Sequence, residues 1–346
     1  MAETIDKKEL QEAIALVVDC IEPSDASAPS TYTIFQRGRV HGFNDISGVS
    51  VPLSVVLPDC AVETKLLYDF VRKMPDEQLI VGLSNGNLKI VGAAKNISAE
   101  FAIRQDLIYP EEWIVTDPSN LVMLPEAFQA ALVSVAPACS EDKPQYRNVI
   151  FKDGKAYGIS PDYIALFDLN DPELFKDMLF ISPKATRFVN KYLPKRYSFN
   201  DGLIHLVSES MQVYTTRTRS DIAESINLGF LDAYFSSPEL STFHFPTSMD
   251  KVLDRCNPFS GKSVKAKRLS FNLHDGMMEV TAVREDGSKI KERCMGIECT
   301  NPITFTTGFK LLSTALPLTT DCSVCDGMLL LRGTQFTGII PLAEEV

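Results

Sequence analysis

Apolar residues recur at helical spacing in six short stretches of this chain and alternate in strand fashion between them. In "ELQEAIALVVDCI" (9–21), Leu10, Ile14, Val17, Val18 and Ile21 fall on one stripe, which predicts an amphipathic helix with one buried face. Comparable stretches are "PEAFQAALVSVAPAC" (125–139) and "TSMDKVLDRCNPF" (247–259). Each is followed by alternating segments, such as "YRNVIFKDGKAYGISPDYIALF" (146–167), "YTIFQRGRVHGF" (32–43) and "LSFNLHDGMMEVTA" (269–282). In the first of these, Asp153-Gly154 signals a tight hairpin, because Gly accepts the positive φ such turns need. Second helices are predicted in "AVETKLLYDFVRKM" (61–74), "SPKATRFVNKYL" (182–193) and "TTGFKLLSTAL" (306–316). A second hairpin then closes each copy: "LIVGLSNGNLKIVG" (79–92), "YSFNDGLIHLVS" (197–208) and "SVCDGMLLLRG" (323–333), all turning on Asn-Gly or Asp-Gly.

The pattern is therefore an internal repeat, helix–strands–helix–strands, present three times. Matching helix positions Leu10, Phe128 and Val252 are separated by 118 and 124 residues. Antiparallel strands with helices segregated to one face predict an α+β fold. The expected domains are 1–121, 122–243 and 244–346.

With 346 residues there is room for several sizeable cores, and 45% hydrophobic with 23% charged residues fits a globular protein. No apolar run approaches a membrane span, and the polar start MAETIDKKELQEA leads us to expect no signal peptide and a cytoplasmic location. On that expectation the eight scattered cysteines are reduced thiols. The net charge of −11 argues against nucleic-acid binding over the whole surface but leaves room for a local basic patch.

Little in the sequence points to catalysis. His41, His205, His244 and His274 have no triad or metal spacing, and structural roles are expected for them. Cys294, Cys299, Cys322 and Cys325 offer two loose pairs, but they lie in strand-like text, so no metal site is expected. There is no GxxxxGK[ST] loop and no strand–GxGxxG–helix unit. Catalytic residues and cofactors are accordingly expected to be absent.

Charge is distributed unevenly over the repeat. Taken as 7–22, 63–74, 125–139, 183–196, 247–262 and 306–316, the six helical stretches together carry +5, leaving −16 for the rest of the chain. Most of the excess lies in 183–196, with Lys184, Arg187, Lys191, Lys195 and Arg196 and no acid. Lys184, Arg187 and Lys191 recur at i, i+3 and i+7, on one helix face. A positive helix lining on a negative body would attract a DNA backbone to that face alone.

In "LPEAFQAALVSVAPACSEDKPQYRNVIFKDGKAYGIS" (124–160), "FISPKATRFVNKYL" (180–193) and "QFTGIIPL" (335–342), the chain resembles the bacterial-type DNA sliding clamp, the beta subunit of the replicative polymerase. The resemblance spans nearly the whole chain but rests on order and pattern; the first domain is the most diverged. It implies three tandem clamp domains, each with two helices packed on antiparallel sheets. Two copies would then form a closed homodimer ring around duplex DNA, with helices inside. Contacts to DNA would be sequence-blind, through Lys184, Arg187 and Lys191, with Tyr146, Arg147 and Lys73 as further candidates.

The resemblance also implies a hydrophobic pocket that takes short peptides of a DNA polymerase and a clamp loader. Its residues would be Ser160, Asp162, Tyr163, Ile164 and Ala165, then Leu231 and Phe235, then Ile339, Ile340, Pro341 and Leu342. Alternation predicts that one of Ile339 and Ile340 is core. Where the family commonly has Thr-Asp-Gly-His-Arg-Leu, this chain has Ser160-Pro161-Asp162-Tyr163-Ile164-Ala165, losing a basic residue and gaining a proline. A proline expected near Leu231 is missing, and the chain runs past Pro341 into Glu344 and Glu345, which would add acid at the pocket rim. Such divergence is compatible with a phage-encoded or otherwise specialised clamp. The alternatives to a non-enzymatic clamp are a clamp-fold interaction scaffold that does not encircle DNA, and an enzyme whose site no motif reveals.

Overall fold

The computed structural model describes residues 2–21, 28–94, 96–115, 120–200, 202–217, 223, 226–260 and 267–343. All six expected helices form: α1 (Lys7–Cys20), α2 (Thr64–Lys73), α3 (Phe128–Val135), α4 (Ala185–Tyr192), and the helices Met249–Cys256 and Phe309–Ala315. The first shows why its boundary falls where it does. Asp6 stands in extended backbone before α1, and its carboxylate accepts from the Lys8 and Glu9 amides at 2.8 and 3.1 Å, satisfying two donors that a helix start leaves unpaired. The hairpin turns adopt the expected geometry. Asn85-Gly86, Asp153-Gly154 and Asp275-Gly276 have positive φ at both central residues, and Arg37-Gly38 does the same without the Asn or Asp. No described helix is long and apolar enough to cross a membrane.

Residues gather into two compact units, 1–129 with 180–218 and 130–179 with 219–346. In the first, eight antiparallel strands lie in the order Cys60–Glu63, Tyr32–Gln36, Arg39–Phe43, Ser47–Pro52, Val213–Arg217, Leu203–Val207, Arg196–Asn200, Val122–Met123. A smaller sheet runs Glu3–Asp6, Gln78–Ser84, Asn87–Gly92, Ser98–Ala102. In the second unit the larger sheet continues from Val149–Lys152 through Lys155–Ile159, Ile164–Asp168, Phe336–Pro341, Met328–Arg332 and Asp321–Cys325 to Glu239–Phe243. Its smaller sheet runs Lys289–Met295, Met277–Val283, Arg268–His274, Ile303–Gly308. The stretch 122–243 thus supplies strands to both units.

In each larger sheet, a hairpin strand from one expected repeat joins a strand from the next. Ser47–Pro52 pairs with Val213–Arg217, and Ile164–Asp168 pairs with Phe336–Pro341. Helices cover one face of the first unit's larger sheet. There α1 approaches so closely that a Cβ on Gly42 would lie 2.2 Å from Val17 Cγ1, so only glycine fits. Leu10, Ile14 and Val17 from α1 and Val40 and Val49 from the strands are fully buried in that layer.

Candidate functional site

Directly paired residues of antiparallel strands share a face, so the register tells which side chains meet at each strand join. In the second unit, Ile164 pairs with Ile339, Ile339 with Leu330, and Pro341 with Met328, which pairs with Cys325. Cys325, Met328, Leu330 and Ile339 form a buried apolar floor, with half-buried Ile164 and Phe235 packed on it. Phe235 arrives from a short helix, Phe230–Phe235, whose Leu231 is buried, while Tyr234 on the same helix is exposed.

The turn leading into Ile164 is tight. The Ser160 hydroxyl accepts from the Tyr163 amide at 3.1 Å, and the Ser160 amide donates to the Tyr163 carbonyl at 2.9 Å. Pro161 sits second in that turn, where its fixed φ fits. Beyond the last strand, the Leu342 amide donates to the Gly327 carbonyl at 2.9 Å, pinning the chain against the sheet.

The expected pocket residues therefore divide by exposure. Ser160, Asp162, Ile164, Phe235, Pro341 and Leu342 reach the surface at least in part. Tyr163, Ala165, Leu231, Ile339 and Ile340 are buried. Of the isoleucine pair, Ile339 lies on the Phe235 side. Ile340 pairs with Leu329 and, with the period of two, faces the opposite side. Of the two, Ile340 is therefore the one on the face away from Phe235. Cys325, Met328 and Leu330 were missed from the sequence. Their strand text is apolar on both faces, so periodicity gives no face to choose. Glu344 and Glu345 lie outside the described residues.

At the equivalent join of the first unit the same face is built differently. Phe43 pairs with Gly48, Gly48 with Thr215, and Thr215 with His205. The segment after the Ser98–Ala102 strand folds back over it. Tyr109 stacks on His41 at 4.3 Å, and Trp113 rests so close to Gly48 that a Cβ there would lie 2.5 Å from Trp113 Cε3. Both rings are fully buried, with Leu203 beside them and the Arg217 guanidinium 5.3 Å above the indole. One join is plugged by the chain itself. The other is apolar and only half covered.

The basic candidates fall on other surfaces. Lys184 immediately precedes α4, Arg187 and Lys191 project from it, and Lys73 is exposed in the last turn of α2. Helices α1 and α2 pack together, as do α1 and α4. Tyr146 and Arg147 belong to the second unit, in a short turn where the Arg147 guanidinium donates to the Glu141 carbonyl at 3.2 Å.

Although α4 carries no acid, α1 supplies two. Arg187 pairs with Asp19 at 2.7 Å and Lys191 with Glu12 at 3.3 Å, all four side chains remaining partly exposed. Sequence reasoning missed these partners because they lie about 170 residues away in the chain, as the separation of 168 for Arg187 and Asp19 shows.

The cysteines expected in strands are there, except Cys299, which sits beyond the Lys289–Met295 strand and makes an isolated bridge to Phe243. Burial pushes the Cys20 and Cys60 thiols up to about 12, with Asp19 and Asp59 adding to it, so neither is a nucleophile near neutrality.

No protein-family model and no curated protein matches the chain. Solved structures do. The DNA polymerase III beta chain from Streptococcus pneumoniae superposes with a TM-score of 0.75 at 14% identity, covering 99% of this chain and 100% of the other. The DNA polymerase III beta subunit from Thermotoga maritima gives 0.74 at 12% identity, and a sliding clamp from Pseudomonas aeruginosa bound to griselimycin gives 0.73 at 10%, each covering 100% of both chains. The fold is that of the bacterial DNA polymerase III beta sliding clamps.

Proposed function

We propose that this chain is a DNA sliding clamp, a non-enzymatic processivity factor that encircles duplex DNA and tethers a polymerase. The observation that carries the reading is the fold match covering 100% of this chain and 100% of the other. The repeats proposed are 1–121, 122–243 and 244–346, and the strand joins support them. Each larger sheet is made by strands of two successive repeats, and the pattern leaves two four-stranded sheets in which Ser98–Ala102 and Lys289–Met295 each pair along one edge only among the described residues.

By their place in the repeat, these two are the counterparts of the strands already joined. A second copy offering the complementary edge would complete the same join twice and close a homodimer ring. Closure also removes edges that otherwise invite indiscriminate pairing.

DNA held by a ring needs only weak, sequence-blind contacts. Lys184, Arg187, Lys191 and Lys73 in the first unit, and Tyr146 and Arg147 in the second, are the proposed phosphate contacts. The partner site is the half-covered apolar face around Phe235 and Ile164. The chain's likeness in fold to a clamp solved with griselimycin bound supports a ligand site on this fold. The polymerase and the clamp loader would each bring a short apolar segment to it.

The experiment compares retention of the protein, loaded with its clamp loader, on nicked circular and linear duplex while salt is raised. Phosphate contacts weaken steeply with salt, whereas topological retention on a circle does not. Retention on circles at salt that strips the linear duplex is the expected result. Equal loss from both would leave a clamp-fold interaction scaffold as the better reading.

A further inference from the structure

The two cations that the sequence offers as freest for DNA are already engaged. Arg187 sits 2.7 Å from Asp19, and Lys191 sits 3.3 Å from Glu12. The acids come from one face of α1, seven residues apart, and the bases from α4, four apart, so both pairs bridge the same helix–helix seam. The four charges cancel. Yet none is sequestered: the side chains of Arg187, Asp19, Lys191 and Glu12 are 61, 47, 37 and 46% exposed. Pairs this open are held weakly and exchange partners readily.

We propose that Glu12 and Asp19 are positioning residues for DNA contact, carboxylates that hold the Arg187 and Lys191 side chains where a phosphate would and hand them over when one arrives. This rests on the reading of the α1–α4 surface as facing DNA. A phosphate oxygen presents the same acceptor geometry to a guanidinium or ammonium as a carboxylate oxygen does. Contact then exchanges one ion pair for another of similar strength, with neither Arg187 nor Lys191 left without a counter-charge before loading. The exchange keeps each contact shallow, which is what movement along the duplex requires, and it orders two long side chains before DNA is present.

The test uses the full-length protein and a short, fluorescently labelled linear duplex, with binding read by anisotropy over a salt series. The double variant Glu12→Gln, Asp19→Asn keeps the shape of both side chains and removes the competing charge. It should bind the duplex roughly three- to tenfold more tightly at low salt, the worth of two exposed pairs, and the gain should shrink as salt screens the competition.

Neutralising two acids also changes the net charge. The matched control is therefore Asp106→Asn with Glu111→Gln, acids likewise paired, to Arg104 and Arg37, on the segment that carries Tyr109 and Trp113 against the other sheet face. Its gain should be clearly smaller. The single variant Asp19→Asn should give part of the effect, a check that does not depend on the double variant's folding.

An affinity of Glu12→Gln, Asp19→Asn equal to wild type, or to the control, overturns the proposal while wild-type retention on circles leaves the clamp reading intact. Failure of every form to bind the duplex also overturns the proposal, and the clamp reading falls with it only if circles and linear duplex lose the wild type equally as salt is raised.

Discussion

His41 and His205 are buried on the sheet face that the Tyr109–Trp113 segment covers, and both are held neutral. Burial lowers His41 to about 3, with Arg39 and Arg37 adding to it against the opposing Gln36 carbonyl, and burial lowers His205 to about 4. His205 Nδ1 lies 2.9 Å from the Thr215 hydroxyl, and His41 Nε2 lies 3.2 Å from the Gln36 carbonyl, to which it donates. In the unfolded chain both titrate near 6.5. Between that value and the folded ones the unfolded state binds more protons, so stability rises with pH there. The histidine contribution is fully present above about pH 6.5 and is lost as pH falls toward 4. The urea midpoint should therefore drop between pH 7 and pH 5, and His41→Gln with His205→Gln should flatten that drop even where it lowers the midpoint at pH 7. An undiminished slope in the double variant would assign the acid sensitivity to carboxylates instead. The sequence leads us to expect structural roles for these histidines because none has triad or metal spacing. Their neutrality follows from what covers the strand, which no local window contains.

Strand pairing and linker packing decide which element is a site. Two equivalent joins exist, and their difference lies in what the chain lays over them. At the first, Gly48 lets an indole come into close contact with the strand, and the face is filled. At the second, Phe235 covers only part of an apolar floor, leaving Ile164 and Leu342 half exposed. Apolar area left open beside a rigid sheet is where a partner's side chain gains most on burial. Replacing Phe235 by Ala removes one wall while leaving the fully buried floor in place. We expect binding of a polymerase-derived peptide to weaken about tenfold, on the order of 1.5 kcal/mol for a half-buried aromatic, with the urea midpoint nearly unchanged. Isothermal titration with the peptide measures the first and a denaturation curve the second. Wild-type peptide affinity in the variant would move the partner site elsewhere.

At the scale of the whole molecule, the open strands Ser98–Ala102 and Lys289–Met295 set the expected assembly. The chain mass is 38.4 kDa, and sedimentation equilibrium should return twice that value. Met295, 72% exposed at the end of one open strand, and Ile97, 39% exposed just before the other, are apolar where a monomer gains nothing from being so. Met295→Asp with Ile97→Asp should shift the mass toward the monomer without lowering the urea midpoint of either unit. A wild-type protein that stays monomeric at micromolar concentration would rule out ring closure by these edges.

The sequence by itself determined the repeat, the six helices and the hairpins. These are set by short-range physics, the stripe of apolar residues that a helix must bury and the positive φ that Asn-Gly and Asp-Gly turns accept. Periodicity of two also told us that Ile339 and Ile340 part company, though not which one stays with Phe235. That choice belongs to the register of Phe336–Pro341 against Ile164–Asp168, strands some 170 residues apart in the chain. The pairing of Arg187 with Asp19 and of Lys191 with Glu12 is of the same kind. Charge on a helix face is written in the helix, whereas the charge that answers it comes from whichever helix packs alongside. Tertiary structure alone decided which basic residues meet an acid, which sheet face is plugged, and which is left half covered.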